Sequence, residues 1–200
     1  MLFISKQGHV DHDRVRVRIF NTIEHGSMSV VHGIVVHQTG ASTADSTFNS
    51  YQQKGANGAH FLIDRDGTIY QTASLMRVTY HVGNIKSRCL QTLQCSPVEI
   101  AASREAQRRG SYKGLNQHEM SKSWPNRLPS NIDSIGIELV GAAQIKNGEK
   151  IYDDPTTEQN ASLKWLVAEL AETLEINKTE VYPHPAVSYK NPTEAKAAQW

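Results

Sequence analysis

The chain has 200 residues, with 21 Lys and Arg against 20 Asp and Glu, for a formal charge of +1. That length fits one domain with room for an elaboration, and it buries about 70% of its unfolded surface, enough for a core without staples. The charge balance excludes a broad electrostatic grip on nucleic acid or on an anionic membrane, and a charged disordered tail equally. Histidine is the one skewed count, at nine residues.

No stretch approaches the roughly 18 apolar residues of a membrane span. The opening residues MLFISKQGHVDHD lack a charged segment followed by an apolar one, so no ordinary secretory signal is expected. Cys89 and Cys95 bracket LQTLQ, a spacing unlike CxxC. They are either two unremarkable thiols or a disulfide closing a short surface loop, and the second would need an oxidising compartment.

Taken in order, the chain first alternates. Val15, Val17 and Ile19 stand against Arg14, Arg16 and Arg18, which predicts a half-exposed strand at a sheet edge. VVHGIVVH, residues 30–37, is β-branched and apolar and stops at QTGAST. It predicts a buried strand with His37 at its exit. Residues 43–54 suit a short helix. HFLID and TIYQT then flank Arg65-Asp66-Gly67, a strong hairpin signal.

Residues 87–131 are rich in Arg, Gln, Ser and Asn and hold both cysteines. They read as a long elaborated insertion, with a helix possible over 97–109; segments of this kind are usually functional or mobile. Order returns at SIGIELVG, residues 134–141, where Ile135, Ile137 and Leu139 face one way and Gly136, Glu138 and Val140 the other. Thr156 and Gln159 form a capping box before a helix whose Leu163, Leu166, Val167, Leu170 and Leu174 recur at helical spacing. VYPHP is a last strand. Strands interleaved with helices give an α/β fold of α+β character: a central mixed sheet flanked by helices.

Two histidines at strand ends, His37 and His184, are unremarkable singly. Glu138 is not. A carboxylate inside an apolar central strand costs several kcal/mol unless paired, metal-associated or solvated by a cleft. With Lys190 near the second histidine, these residues form a zinc hydrolase's parts: imidazole ligands, a general base and a cation for an oxyanion. His9, His12, His25 and His118 lie in polar segments and are expected at the surface. The orientation of His32 relative to His37 is ambiguous.

IVVHQTG resembles the first ligand motif of the zinc-dependent N-acetylmuramoyl-L-alanine amidases, a family that includes phage lysozyme-type amidases, muropeptide-recycling amidases and peptidoglycan recognition proteins. GAHFLIDRDGTIYQ, TYHVGN, SIGIELVG and YPHPAVSYKNPTEA resemble its later blocks, in family order, over roughly residues 30–194. The resemblance implies one zinc amidase domain over 1–200, with an elaborated insertion at about 87–131. It implies Zn²⁺ held by His37 and His184, Glu138 as general base on the attacking water, and Lys190 on the oxyanion. His81 would face the substrate, and His60 would line or support the site.

Two departures stand out. Where lysozyme-type members carry a catalytic Tyr, this chain has Ala59, which moves the base role to Glu138 as in the recycling enzymes. The family's third ligand, Cys or Asp two residues after the Lys, is here Pro192, which cannot ligate. Glu194 is the nearest suitable donor and is taken as the third ligand.

The substrate implied is peptidoglycan or a muropeptide, cut at the amide joining N-acetylmuramic acid to L-alanine, with no nucleic acid and no membrane insertion. The setting expected is an antibacterial effector, delivered by a type VI-like secretion apparatus into a rival's periplasm and matched by an immunity protein. A phage endolysin and a cytoplasmic muropeptide-recycling amidase are the alternatives. A non-catalytic peptidoglycan-binding module is a further one.

Overall fold

A computed structural model describes residues 1–200. In chain order its elements are β1 (Phe3–Ile4), β2 (Val10–Asp11), β3 (Val15–Val17), β4 (Gly33–Gly40), α1 (Ala44–Tyr51), β5 (Phe61–Ile63) and β6 (Ile69–Gln71). There follow α2 (Arg88–Gln91), α3 (Pro97–Met120), β7 (Ser134–Lys146), β8 (Glu149–Tyr152), α4 (Thr157–Thr173), β9 (Val181–Pro183) and α5 (His184–Val187). The main sheet runs β3-β6-β5-β7-β4-β9, with β8 paired to the far half of β7. In this sheet only the β5–β6 and β7–β8 pairs are antiparallel, and β3–β6, β5–β7, β4–β7 and β4–β9 are parallel; β1 and β2 form a separate antiparallel pair. The main sheet is of mixed strand direction, as expected, with β3 at its edge.

Alternation along the two central strands divides the molecule. Ile34 and Val36 of β4 and Ile135, Ile137 and Leu139 of β7 point into the main core, where α4 lays down Leu163, Leu166, Val167 and Leu170. The capping box that starts α4 is formed, with Thr156 and Gln159 bonded reciprocally. Asp66-Gly67 turns the β5–β6 hairpin with Gly67 at φ +83°. On the opposite face, α1 covers only part of the sheet, through Phe48 and Tyr51. A further apolar cluster, Val82, Ile85, Leu128 and Val187, covers Val35 on the same face. Between these two covers, at the carboxyl ends of the parallel strands, the face stays open; in sheets of this kind ligands bind there.

Three expectations change. The strand carrying His37 runs on to Gly40, through a register shift between Gln38 and Gly40. The insertion is mostly helical: α3 spans Pro97–Met120, opened by a Ser96–Glu99 capping box and broken at Gly110 and Ser111. Its two ends are clasped to each other and to the sheet, since Arg88 donates to the Arg127 carbonyl at 2.7 Å and forks onto Glu180 at 2.9 and 2.7 Å. β8 was not expected at all. Asn147-Gly148 turns β7 back on itself, both residues at positive φ, and builds a two-stranded arm beside the open face.

Among the histidines set aside as surface residues, His12 is exposed, while His9, His25 and His118 are half-buried. His25 stacks on Tyr80 with ring centroids 3.8 Å apart. His32 turns away from His37 and bonds to Asp133 at 2.9 Å. Cys89 and Cys95 are disulfide-bonded. No helix is long and apolar enough to cross a membrane.

Candidate active site

The site grows from strand register. His37 on β4 pairs with Glu138 on β7, and Glu138 in turn with Leu62 on β5. Paired positions share a face, so His37 and Glu138 stand side by side on the open one. On the other flank Val36 pairs with Pro183 of β9, and His184 follows at the start of α5. Glu194 returns from the C-terminal loop to the two imidazoles. One ligand atom from each of His37, His184 and Glu194 lies within 4.8 Å of the others. All three residues are buried, at 3%, 4% and 6% exposure. Pro192 contributes nothing to this cluster.

The tautomers follow from the hydrogen bonds around the rings. His184 Nε2 donates to the Val82 carbonyl at 2.9 Å, which leaves Nδ1 as a bare lone pair facing Glu194 Oε1 at 2.8 Å. His81 Nε2 donates to the Ser134 carbonyl at 3.3 Å, so its Nδ1 accepts from His37 Nε2 at 2.9 Å. His37 Nδ1 is then also a lone pair, 3.5 Å from the same Glu194 oxygen. Two nitrogen lone pairs and a carboxylate oxygen converging in a buried space repel one another unless a cation lies among them. An N,N,O donor set of this kind suits a divalent metal ion of zinc's class.

The charges agree. Burial, then the neighbouring His184, holds His37 down at about 4, so the ring is neutral. Burial works against ionisation of Glu194, but the closeness of the His184 and His37 rings outweighs it and brings the carboxyl to about 2. Burial pushes Glu138 up to about 7, against a hydrogen bond from the Tyr51 hydroxyl and with the help of the Glu194 charge.

Around this cluster lies a polar cleft of about 600 Å³, lined by His37, Glu138, His184 and Glu194 together with His81, Lys190, Asn131, Tyr80, Lys150 and Tyr152. Lys190 is exposed at its mouth, its Cε 3.9 Å from where a Gly83 Cβ would sit. His81 borders the cleft while bracing His37. Its backbone is fixed by Asn131, whose Oδ1 accepts from His81 N and Val82 N at 2.9 and 2.7 Å. A Cβ on Gly136 would meet His81 Nδ1 at 2.8 Å, so that position must be glycine for the ring to lie flat on β7. His60 does not reach the cleft. It is fully buried, donating from Nε2 to the Arg77 carbonyl at 2.9 Å and accepting from Gly136 N–H at 3.1 Å, so it holds β7 from behind.

Sequence reasoning singled out His37, Glu138, His184, Glu194, Lys190 and His81, and all six border one cleft. It missed Tyr51, whose buried ring ends α1 beneath Glu138. It also missed Asn131 and the two β8 residues. An aromatic closing a helix carries no sequence signal for this role. Asn147-Gly148 was a readable turn signal for the arm.

An open cleft at the strand ends, with a raised carboxyl beside two buried imidazoles, defines a hydrolase-type centre. The N-acetylmuramoyl-L-alanine amidase family model matches residues 27–197, and the chain belongs to that family. No curated protein matches it. Among solved structures, the catalytic domain of XlyA is 19% identical with a TM-score of 0.51, over 88% of this chain and 87% of that one. An AmpD derivative is 16% identical with a TM-score of 0.52, over 93% and 88%. AmiD from E. coli, in complex with the substrate anhydro-N-acetylmuramic acid-L-Ala-D-gamma-Glu-L-Lys, is 17% identical with a TM-score of 0.52, over 92% and 57%. These likenesses show a common fold. Family membership makes the chain a peptidoglycan amidase.

Proposed function

We propose that this amidase is zinc-dependent, with His37, His184 and Glu194 holding the metal, Glu138 as general base and Lys190 on the oxyanion. The observation that carries this reading is the convergence of three buried ligand atoms within 4.8 Å. Zinc bound there supplies Lewis-acid polarisation of the scissile carbonyl and of the attacking water. The bond attacked is the amide between the lactyl group of N-acetylmuramic acid and L-alanine.

The chain's own residues do the rest. Glu138 takes the proton of the attacking water and passes it to the leaving amine, a double duty suited to a carboxyl lifted to about 7. The Lys190 ammonium meets the negative charge that develops on the carbonyl oxygen. His81 and the Val82 carbonyl lock both imidazoles in the tautomer that offers Nδ1.

Metal analysis of the purified protein tests the assignment. About one zinc per chain is expected, and Glu194→Ala should lose it. Active protein with no stoichiometric metal would contradict the reading.

The setting we propose is a cell-wall-degrading antibacterial effector, exported by a dedicated apparatus and active in a target cell's periplasm, with an immunity protein protecting the producer. The Cys89–Cys95 disulfide supports a place of action outside a reducing cytoplasm. Expression directed to the periplasm of a susceptible bacterium should cause lysis, and cytoplasmic expression should not. Survival of the periplasmic culture would sink the effector role. Lysis from phage-type release alone would favour an endolysin.

A further inference from the structure

We propose that Lys150, on the β7–β8 arm, is a subsite for a carboxylate of the substrate's stem peptide. The proposal deepens the amidase reading and rests on it.

Lys150 lines the same cleft as Glu138 and Glu194. Its backbone is stitched to the loop between Lys190 and Glu194, because its carbonyl accepts from Asn191 Nδ2 and Thr193 Oγ1, both at 2.9 Å. Tyr152 N donates to the same Thr193 hydroxyl at 3.3 Å. The arm is thus fixed relative to the catalytic cluster and is no loose hairpin. The ammonium lies 4.7 Å from the Tyr152 ring centroid and 3.6 Å from where a Gly40 Cβ would sit. It therefore leans back over the end of β4, toward the cleft, and no carboxylate pairs with it.

The cleft's own acids are committed: Glu194 to the two imidazoles, Glu138 to proton transfer. Lys190 is committed to the carbonyl oxygen. Lys150 is the one lining cation without a task, and the substrate class brings the matching anion. A peptide such as the L-Ala-D-gamma-Glu-L-Lys of the AmiD complex carries a free α-carboxylate on its γ-linked glutamate and another at its C-terminus. A charge-assisted hydrogen bond from an exposed, unpaired ammonium beside an aromatic face, carried on a fixed backbone, recognises either. It would place the leaving peptide along the arm and the muramoyl group on the opposite side of the cluster.

The test compares three synthetic N-acetylmuramoyl tripeptides: both carboxylates free, the glutamate α-carboxylate amidated, or the C-terminal carboxylate amidated. Wild type should show a KM about tenfold higher for one amidated peptide, which identifies the carboxylate read. Lys150→Gln should raise KM for the free peptide by about the same factor and abolish the discrimination, while Lys150→Arg should keep it. Discrimination should also weaken as salt is added. Equal KM values for all three peptides with wild type would overturn the proposal. So would a Lys150→Gln enzyme that still discriminates, or one impaired equally on every peptide, which marks a structural role. Failure of wild type to cut any of the three would instead indict the amidase reading beneath it.

Discussion

His81 Nδ1 accepts a hydrogen bond from His37 Nε2 at 2.9 Å, and this contact decides which nitrogen of His37 faces the cluster. Removing the acceptor frees His37 to turn or to switch tautomer. On the proposed zinc site, His81→Ala should weaken metal affinity about tenfold or more, read by competition with a chromogenic chelator. Activity should return as zinc is raised. Gly136→Ala should act the same way by pushing the His81 ring aside. An affinity equal to wild type in both variants would show that His81 has no such role.

Asp133 gathers the insertion's end onto the sheet. Its carboxylate accepts from Arg127 Nη2 at 2.7 Å, Ser130 N at 2.8 Å and Ser130 Oγ at 2.9 Å. Burial raises its pKa, but the bonds to Arg127, His32 and Ser130 prevail and hold it below the ordinary value. A depressed carboxyl contributes stability that is fully present above its unfolded pKa, near 4. That stability is lost as pH falls through the folded value. Thermal melts should therefore decline below about pH 4. Asp133→Asn should lose about 3 kcal/mol at neutral pH by leaving Arg127 buried and unpaired. It should also show a shallower acid decline. A variant as stable as wild type at pH 7 would contradict this account of the clasp.

The Cys89–Cys95 bond closes a loop with a sequence separation of 6. Constraining so short a loop is worth about 2 kcal/mol. The double variant Cys89→Ser, Cys95→Ser should melt lower by a few degrees, yet still hydrolyse substrate, because neither cysteine lines the cleft. Loss of activity in a folded double variant would tie the insertion to catalysis.

What could be read without coordinates follows from how strongly each segment is constrained. Strands β4 and β7 bury one face against α4, so their alternation and the odd position of Glu138 were plain. The order of the ligand blocks then brought His37, His184 and Glu194 together in advance. Helix α3 was half legible because it buries little: Ser103, Leu115 and Glu119 are its only buried residues, so no apolar stripe marks it. Gly110, Ser111 and Gly114 further broke the pattern at the kink. The β8 arm escaped because QIKNGEK has no core face at all, and only its Asn-Gly turn betrays the hairpin. His60 and His81 could not be told apart from sequence. The difference lies in which of them backs β7 and which borders the cleft, and only the packing around Gly136 decides that.

The central claim is that Glu138 moves the proton in hydrolysis of the muramoyl–L-alanine amide. Purified peptidoglycan sacculi should be digested with wild type and with Glu138→Ala, both checked for the same fold and zinc content, and the soluble products read by mass spectrometry. The account predicts free peptides beginning with L-alanine from wild type and a loss of at least about a hundredfold in their rate of release from the variant. Release at the wild-type rate by Glu138→Ala, or fragments cut at any other bond, would contradict it.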